Sequence, residues 1–350
     1  MAPIMVELNS RKIPFRYVDS GQHAEFTRSL RKIFGIKEPD INLSSKNKDI
    51  VSIAGAISWS LKLSSSLWLR RKWLRDEVFC GGGICLIHGD TLSTLLGMKM
   101  ARAAGLKIGH VEAGLRSFCM WHPFPEELIR IYCMKRCDIL FAPSVEAQNN
   151  LKAMNVCGLM INVNGNTIVD SLRLMENVPA TIEIPEMPFA LATCHRLETI
   201  THRKRLKKVI SLLNRISRQI KIVFVTHKPT RKYLSKFSLT EEINPQIILL
   251  DMQDYMNFTA LLRSAKMVLT DGGSIQEECA YLNKPCLILR KKTERPDGLG
   301  RNAMLWNFDQ CTAEEFYEKF KAFTMSRPGE WPRPSAQIVK VLLEQEPVVT

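Results

Sequence analysis

The chain lacks several features that mark whole classes of protein. No part of its 350 residues comes near the roughly 18 consecutive apolar residues of a membrane-spanning helix. The residues after Met1 do not form the charged and then apolar stretch of a secretory signal peptide. Apolar residues make up 45% and charged residues 24% of the chain, as in ordinary folded proteins. The sequence therefore predicts a cytoplasmic protein without a membrane span.

Metal-binding and nicotinamide-binding patterns are also absent from the sequence. The ten cysteines include no Cys-x-x-Cys pair, and the close pairs Cys80/Cys85 and Cys133/Cys137 have no histidines at zinc-ligand spacing. No G-x-G-x-x-G fingerprint follows a predicted strand. We therefore expect reduced cysteines, no structural metal ion and no cofactor.

The chain does carry a large positive charge, formally +14 at pH 7. Such a charge fits a nucleic acid, an anionic membrane surface or an anionic small substrate. The densest basic run, His202 to Lys208, lies on the outer face of a predicted amphipathic helix. Aromatic residues do not interleave with these cations, so nucleic acid is not an expected partner.

Strand and helix patterns alternate along almost the whole chain, which predicts parallel sheets covered on both faces. The proline-rich segment 178–188 has no period and predicts a linker. The sequence thus predicts an α/β protein with two doubly wound Rossmann-like domains, residues 1–177 and 189–333, facing a central cleft. Strands are predicted at 15–18, 84–87, 108–111, 139–142, 160–163, 190–193, 222–225, 246–250, 267–269 and 286–289, and helices at 91–104, 125–135, 145–154, 168–175, 203–216, 255–264, 275–282 and 336–345.

One strand-to-helix turn predicts a phosphate site. The apolar strand Met267–Leu269 is followed by Asp271-Gly272-Gly273-Ser274, which opens a helix with small residues. Backbone N–H groups and the helix dipole at such a start attract an anion. Glu278, one turn into the helix, and Arg295, in a later loop, can flank the bound group as they would a nucleotide. An ordinary glycine-rich turn would explain the glycines but not these two charged residues.

Further polar residues stand where predicted strands end or helices begin, the place where ligands bind in parallel sheets. Any one of them is more often a helix cap or a satisfied core group. Taken together they predict a catalytic site. These residues are Asp90, Glu112, Glu126, Glu127, His195 and His227.

Longer strings of sequence carry a family resemblance. The chain resembles the non-hydrolysing UDP-N-acetylglucosamine 2-epimerases, a family with the two-domain fold of the B-type glycosyltransferases (GT-B). The strings run in the family's order through most of the chain: HGDT (88–91), HVEAGLRS (110–117), PFPEELIR (123–130), FAPS (141–144), NGNTIVDSL (164–172), CHRLE (194–198), LTDGGSIQEE (269–278) and TERP (293–296).

The resemblance implies roles for individual residues and for the assembly. Asp90, Glu112, Glu126 and His195 fall on catalytic positions. Arg130, Gly273, Ser274, Glu278 and Arg295 fall on substrate-binding positions, and Gln22 and His23 lie near the region where bacterial members bind UDP-GlcNAc as an activator. His227, at a strand end, and Gly272, in the predicted phosphate-binding turn, are added to the predicted substrate-binding residues on their position alone. Gly272 stands where the family usually has a serine. A homodimer and a C-terminal helix within 334–350 that crosses back to the first domain are also implied.

The predicted chemistry is an elimination followed by an addition. Opening of the bond between C1 and the diphosphate oxygen makes the C2 proton acidic enough for a carboxylate to remove. Return of a proton to the opposite face of C2 then inverts this centre. Two of Asp90, Glu112 and Glu126 are expected to remove and return the proton, in an order that the sequence leaves open.

Three other functions remain open at this point. The chain can be an epimerase that acts on a modified UDP-sugar or that hydrolyses off the UDP. It can be a GT-B glycosyltransferase, which would need an acceptor site and fewer carboxylates. It can also be a catalytically impaired protein that only binds a UDP-sugar.

The largest departure from the family pattern is at the N terminus. The family has a first strand and a Gly-Thr-Arg-Pro-Glu loop before a Lys-Met-Ala-Pro sequence, whereas this sequence opens with Met1-Ala2-Pro3. The resemblance implies that a central strand of the N-terminal sheet is missing. The unpaired backbone groups and exposed apolar faces left by a missing strand would cost a large part of a total free energy of unfolding of about 5–15 kcal/mol. We expect a translation start upstream of Met1.

A chain extended at the N terminus tests this expectation. The extended chain should give a higher soluble yield and a higher turnover number than the chain beginning at Met1, because the added strand would pair the open sheet edges. Expression yield and turnover measured side by side provide the comparison, and equal values for both chains would contradict the expectation.

Overall fold

The structure, a computed structural model, describes residues 1–21, 24–43, 71–120, 125–293, 295–308, 316, 319 and 330–345. Contacts divide the chain into two compact units: a first unit of residues 1–171 with 332–350, and a second unit of residues 172–331. The segment 178–188 contains no helix or strand. The domain boundaries at 177 and 189 stay predictions from the sequence.

The first unit combines short N-terminal elements with a regular strand-helix alternation. Its elements are α1 (Ala2–Ser10), β1 (Val18–Asp19), α2 (Ala24–Phe34), β2 (Ile41–Asn42), α3 (Arg71–Trp73) continued by a π-helical turn (Leu74–Val78), β3 (Ile84–His88), α4 (Leu92–Ala104), β4 (Lys107–Val111), α5 (Glu126–Met134), β5 (Ile139–Ala142), α6 (Val145–Ala153), β6 (Leu159–Asn162), α7 (Ile168–Leu174, which runs into the second unit) and α13 (Pro334–Gln345).

Strands β3, β4, β5 and β6 form a parallel four-stranded sheet in that order. All four residues of β5 are buried, as expected of a strand covered on both faces. Helices α4, α5 and α6 pack on one face, and α1 packs with α13 on the other. The carboxyl ends of the strands therefore remain available for polar groups, while both faces of the sheet are apolar.

A cavity of about 700 Å³ lies in the first unit beside β3. Residues of β1, β3, α1 and α4 line it. Among the described residues, β3 pairs only with β4, and β1 pairs only with β2. That a further strand belongs to this sheet stays a prediction from the sequence.

The second unit is a more regular alternation of the same kind. Its elements are β7 (Phe189–Thr193), α8 (Leu197–Ile200), α9 (Arg203–Ile216), β8 (Lys221–Thr226), α10 (Lys228–Lys236), β9 (Ile248–Asp251), α11 (Tyr255–Ser264), β10 (Met267–Thr270), α12 (Gly273–Leu282), β11 (Cys286–Ile288) and β12 (Ala303–Leu305). The strands form one parallel sheet in the order β12-β11-β10-β7-β8-β9. The central strands β7 and β10 are wholly buried, and their carboxyl ends lie side by side.

The predicted elements agree with the structure where the apolar pattern is strong. Strand β5 and helices α9 and α11 have the predicted bounds. The sequence did not predict α1, α2, α10 or β12. In α10 the apolar pattern is weak because cations outnumber apolar residues. The helix tolerates Pro229 because this residue lies in the first turn, where its missing N–H costs no hydrogen bond.

Three further properties concern the described residues alone. None of their helices combines the length and apolar character needed to cross a membrane. The nine cysteines within these ranges are free thiols. No group of three or more His, Cys, Asp or Glu side chains in these ranges is arranged to hold a metal ion.

Two glycines with left-handed backbones offer a matched test of the turn after β4. Gly114 has a φ of +91°, and an added Cβ would lie 2.1 Å from the carbonyl oxygen of Ala147 in α6. Gly105 has a φ of +84° at the end of α4, with nothing within 4 Å of an added Cβ. Gly105→Ala should lower the free energy of unfolding by about 1 kcal/mol, from backbone strain alone.

Gly114→Ala should lower the free energy of unfolding by about 3 kcal/mol, because a backbone clash adds to the strain. Urea unfolding followed by circular dichroism measures both variants. Equal losses in the two would contradict the close approach of the turn to α6.

Candidate active site

The acidic residues of the first unit lie at the carboxyl ends of neighbouring strands. Asp90 follows β3, and Glu112 follows β4. Glu112 has a left-handed backbone with a φ of +68°, a conformation that costs a non-glycine residue about 1–2 kcal/mol. An added Cβ at Gly89 would lie 3.6 Å from Oε2 of Glu112, so this carboxylate sits against the loop that carries Asp90.

A buried arginine ties the Asp90 loop to helix α5. One nitrogen of Arg130, Nη2, donates to Asp90, and the other, Nη1, donates to Oε2 of Glu127 at 3.0 Å. Arg116 donates from Nε to Oε1 of the same glutamate at 2.5 Å. Two arginines and two carboxylates therefore form one network, which fixes the position of Asp90.

Adjacent glutamates at the start of α5 have different environments. Glu127 is fully buried, and burial alone would raise its pKa; hydrogen bonds from Arg116 and the Ser117 N–H, with the charge of Arg130, outweigh burial and lower the pKa. Glu127 is therefore an ionised structural group. Among the described residues, none forms a hydrogen bond with the buried Oε2 atom of Glu126. Glu126 thus differs from Glu127, whose two carboxylate oxygens both accept hydrogen bonds.

The loop between β3 and α4 is also held from β4. His110 is fully buried, and burial lowers its pKa, so its ring is neutral. Its Nε2 lies 2.8 Å from the carbonyl oxygen of Gly89, which makes Nε2 the protonated nitrogen. The backbone of Gly89, with a φ of +70°, is fixed by this bond next to Asp90.

In the second unit a buried aspartate joins the ends of β7 and β10. Asp271 is fully buried and accepts hydrogen bonds from the backbone N–H groups of His195 at 3.0 Å and Arg196 at 2.9 Å. Its Oδ1 also lies 3.4 Å from Nδ1 of His195. The backbone of His195 is therefore held in place by Asp271.

Two predicted histidines stack on each other. The ring centroids of His195 and His227 are 4.6 Å apart with an angle of 29° between the planes. Burial, aided by the neighbouring charge of His195, lowers the pKa of His227 to about 4. His227 is consequently neutral at pH 7 and supports the ring of His195 by contact.

The predicted phosphate-binding turn starts helix α12. Gly272 occupies the N-cap, and no side chain of the described structure caps this helix. Gly273 is buried while Ser274 is exposed, so the first turn of the helix reaches the surface. An added Cβ at Gly272 would lie 3.3 Å from Cε1 of His195, which leaves little room for a side chain there. The N–H of Gly272 donates to the Thr270 hydroxyl at 3.0 Å. The N–H groups of the first helical residues after it have no acceptor within the helix and can bind an anion.

Glu278 lies one turn further along α12, buried beside Tyr255. Burial raises the pKa of Glu278 to about 7, against the opposing effects of a hydrogen bond from the Tyr255 hydroxyl at 2.9 Å and the charge of Arg295. A carboxyl group of this kind can accept hydrogen bonds from the hydroxyl groups of a ligand.

The loop that carries Arg295 is fastened to α12. Gln276 donates from Nε2 to the carbonyl oxygens of Arg295 and Asp297, each at 2.9 Å. The guanidinium of Arg295 pairs with Glu277. The predicted cleft arginine therefore lies beside the helix that opens at Gly273.

The structure brings the predicted residues together in two groups. In the first unit Asp90 and Glu112 follow the ends of β3 and β4, Arg130 of α5 binds Asp90, and Glu126 is the first residue of α5. In the second unit His195, His227, Gly272, Gly273, Ser274, Glu278 and Arg295 lie about the ends of β7, β8 and β10 and along α12. Gln22 and His23 lie outside the described residues.

Four residues that hold these groups in place were not predicted from the sequence, namely Arg116, Asn166, Tyr255 and Asp271. Arg116 lies in the HVEAGLRS string, Asn166 in the NGNTIVDSL string and Asp271 in the LTDGGSIQEE string, so position in a motif was an available signal for all three. Tyr255 carries no such signal, because it is near Glu278 only in the folded chain.

The chain is an α/β protein of two units with parallel sheets, in which polar groups stand at strand ends and α12 starts without a side-chain cap among the described residues. The family profile of UDP-N-acetylglucosamine 2-epimerase matches residues 7–327. A UDP-N-acetylglucosamine 2-epimerase of Methanococcus maripaludis is 32% identical over 320 residues, which cover 87% of this chain and 82% of that protein. The chain belongs to the UDP-N-acetylglucosamine 2-epimerase family.

Solved structures agree with this membership. The chain matches Methanocaldococcus jannaschii UDP-GlcNAc 2-epimerase in complex with UDP-GlcNAc and UDP with a TM-score of 0.82 and 26% identity, covering 98% of this chain and 95% of that one. It matches the Neisseria meningitidis enzyme bound to UDP-GlcNAc with a TM-score of 0.80 and 26% identity, covering 98% and 96%. The family and the α/β fold class predicted from the sequence are confirmed.

The raised pKa of Glu278 predicts a dependence of stability on pH. Burial is the main cause of the rise from 4.5 to about 7. Between these values the folded protein keeps a proton on Glu278 that the unfolded chain releases, so this residue lowers the free energy of unfolding as the pH rises. In Glu278→Gln, stability relative to the parent should therefore increase by roughly 3 kcal/mol from pH 4.5 to pH 7 and stay constant above.

Urea unfolding at a series of pH values measures this difference. Glu186→Gln serves as the control, because it makes the same change at an exposed side chain. A difference between Glu278→Gln and the parent that does not vary with pH would show that the carboxyl has an ordinary pKa.

Proposed function

We propose that this chain interconverts UDP-GlcNAc and UDP-ManNAc by elimination of UDP to 2-acetamidoglucal and re-addition, without net hydrolysis. The main support for this function is the match to the family over residues 7–327, together with the acidic side chains at the end of the first unit's sheet. Relatives named UDP-N-acetylglucosamine 2-epimerase, with structures bound to UDP-GlcNAc, support this substrate.

The second unit binds the UDP part of the substrate in this proposal. The diphosphate lies at the start of α12, where backbone N–H groups and the helix dipole offset its charge. Glu278 accepts hydrogen bonds from the ribose hydroxyls. When UDP leaves, its diphosphate gains negative charge, which the helix start, Arg295 and His195 stabilise.

The first unit supplies the groups that move the proton at C2. The C1–O bond breaks and its electron pair leaves with UDP, while a carboxylate removes the C2 proton and a C1=C2 double bond forms. A second acid then delivers a proton to the opposite face of C2, and UDP adds back to C1. Two of Asp90, Glu112 and Glu126 fill these roles, and Arg130 orients Asp90.

The surroundings of the three carboxyl groups support these different roles. Glu126 has an unpartnered oxygen within the described structure, as a group that accepts a proton requires. Asp90 is held by Arg130, and Glu112 accepts a hydrogen bond from Asn166. The three carboxyl groups therefore differ in their surroundings, as groups with different roles in the two steps would.

Incubation with UDP-GlcNAc in deuterated water tests the proposal. We expect UDP-ManNAc with deuterium at C2, because the proton removed exchanges with solvent before return. Proton NMR of the C2 signal and mass spectrometry measure it. Free UDP with ManNAc would show a hydrolysing enzyme, and UDP-GlcNAc binding without exchange would show an impaired binding protein; either outcome would contradict the proposal.

Variants link the activity to the site. Glu126→Gln should lower the turnover number about 10²- to 10⁴-fold, the usual loss when a general acid or base is removed. Glu146→Gln makes the same change at an exposed position in α6 and should leave turnover unchanged. Equal turnover in both variants would remove Glu126 from the mechanism.

The compartment and the assembly state stay predictions from the sequence. A cytoplasmic homodimer that does not bind nucleic acid is the expectation. Gel filtration with light scattering tests the dimer.

A further inference from the structure

Asn166 reaches from the segment before α7 to the carboxylate of Glu112. Its Nδ2 donates to Oε1 of Glu112 at 2.5 Å. In the sheet order, the strand that precedes Asn166, β6, is separated from β4 by β5. The bond therefore spans two strand positions along the carboxyl edge of the sheet. Asn166 itself is 6% exposed, so this bond is sheltered from water.

A second bond fixes which end of the Asn166 amide faces Glu112. Oδ1 of Asn166 accepts a hydrogen bond from the backbone N–H of Ile168, the first residue of α7, at 3.3 Å. If the amide were turned over, its NH₂ group would face the Ile168 N–H and its oxygen would face the carboxylate. Both contacts would be repulsive, so the helix start holds the donor toward Glu112.

We propose that Asn166 is a positioning residue that fixes the Glu112 carboxylate and favours its ionised form. The inference rests on the proposed function, in which Glu112 is one of the groups that exchange the C2 proton. A donor to a carboxylate stabilises the charged state, and a second bond on the donor makes its direction rigid.

The backbone of Glu112 gives a reason for such a restraint. Its left-handed φ of +68° aims the side chain away from the course of a regular strand end. A strained residue keeps one conformation only when its surroundings determine it. The hydrogen bond from Asn166, which lies outside β4, holds the side chain of Glu112 in one conformation.

Other titratable groups face Glu112 from the neighbouring elements of the described structure. His88 at the end of β3 has Nε2 3.8 Å from Oε2 of Glu112. The charge of Glu112 also acts on His110 of β4 and on the amino group of Met1 before α1. All three remain in place when Asn166 is changed, so their effects cancel in a comparison of variants.

Asn166→Asp isolates the proposed role. The aspartate keeps an oxygen for the Ile168 N–H but replaces the NH₂ donor with a second carboxylate oxygen facing Glu112. Two carboxylates at this distance cannot both ionise easily, so the pKa of Glu112 should rise by at least one unit relative to the parent. The limb of the pH profile of kcat/KM that reports Glu112 should move to higher pH by the same amount.

The control is the same substitution two residues earlier. Asn164→Asp places an equal charge at an exposed position of the same loop and should leave the pH profile unchanged. Asn166→Ser offers a hydroxyl to the Ile168 N–H but is too short to replace the donor to Glu112. It should shift the limb upward by less than Asn166→Asp.

A direct titration separates this inference from the proposed function. ¹³C NMR of protein labelled at the glutamate carboxyl carbons, with Glu112 assigned through Glu112→Gln, measures its pKa without any turnover. A higher pKa in Asn166→Asp than in Asn164→Asp supports the positioning role. An unchanged pKa, or an equal rise in both variants, would overturn it, whereas an absence of epimerase activity in the parent would overturn only the proposed function.

Discussion

The pairing of Arg130 with Asp90 and Glu127 is the interaction on which the first unit's site depends. The guanidinium is nearly buried, and it binds one carboxylate from the β3–α4 loop and another from its own helix, α5. Removal of one partner from a buried ion pair costs about 3–5 kcal/mol, because the other charge is left uncompensated. The loop and the helix therefore hold a fixed relation to each other.

Hydrogen bonds also fix the positions of other buried carboxylates. Glu127 and Asp271 are buried acceptors that hold the chain in place, whereas Glu126 has an oxygen without a hydrogen-bond partner among the described residues. The acidic residues of the described structure thus differ in the number of hydrogen bonds that their carboxylates accept. At Glu127, hydrogen bonds from Arg116 and the Ser117 N–H stabilise the ionised carboxylate.

The sequence predicted the parts of the fold that have strong apolar patterns. Strand β5, with four consecutive apolar residues, and α9, with a regular apolar stripe, have the predicted bounds. Helix α10 was missed because its cations conceal a weak stripe. Of the site, the sequence predicted acids, histidines and glycines at strand ends, since the carboxyl edge of a parallel sheet is set by topology.

The sequence could not predict which side chains contact these site residues. Tyr255 lies 23 positions before Glu278, and Asn166 lies 54 positions after Glu112, and only the folded chain brings either pair together. Likewise, nothing in the string Pro125-Glu126-Glu127 distinguishes the two glutamates. Their roles follow from the side chains that surround them.

The central claim is that the bond between C1 and the diphosphate oxygen breaks during epimerisation. UDP-GlcNAc labelled with ¹⁸O in that bridging position tests it directly. If UDP leaves and re-adds, rotation of its terminal phosphate should move the label into the non-bridging positions of recovered UDP-GlcNAc, which ³¹P NMR detects. Label that stays entirely in the bridge while UDP-ManNAc accumulates would contradict the account.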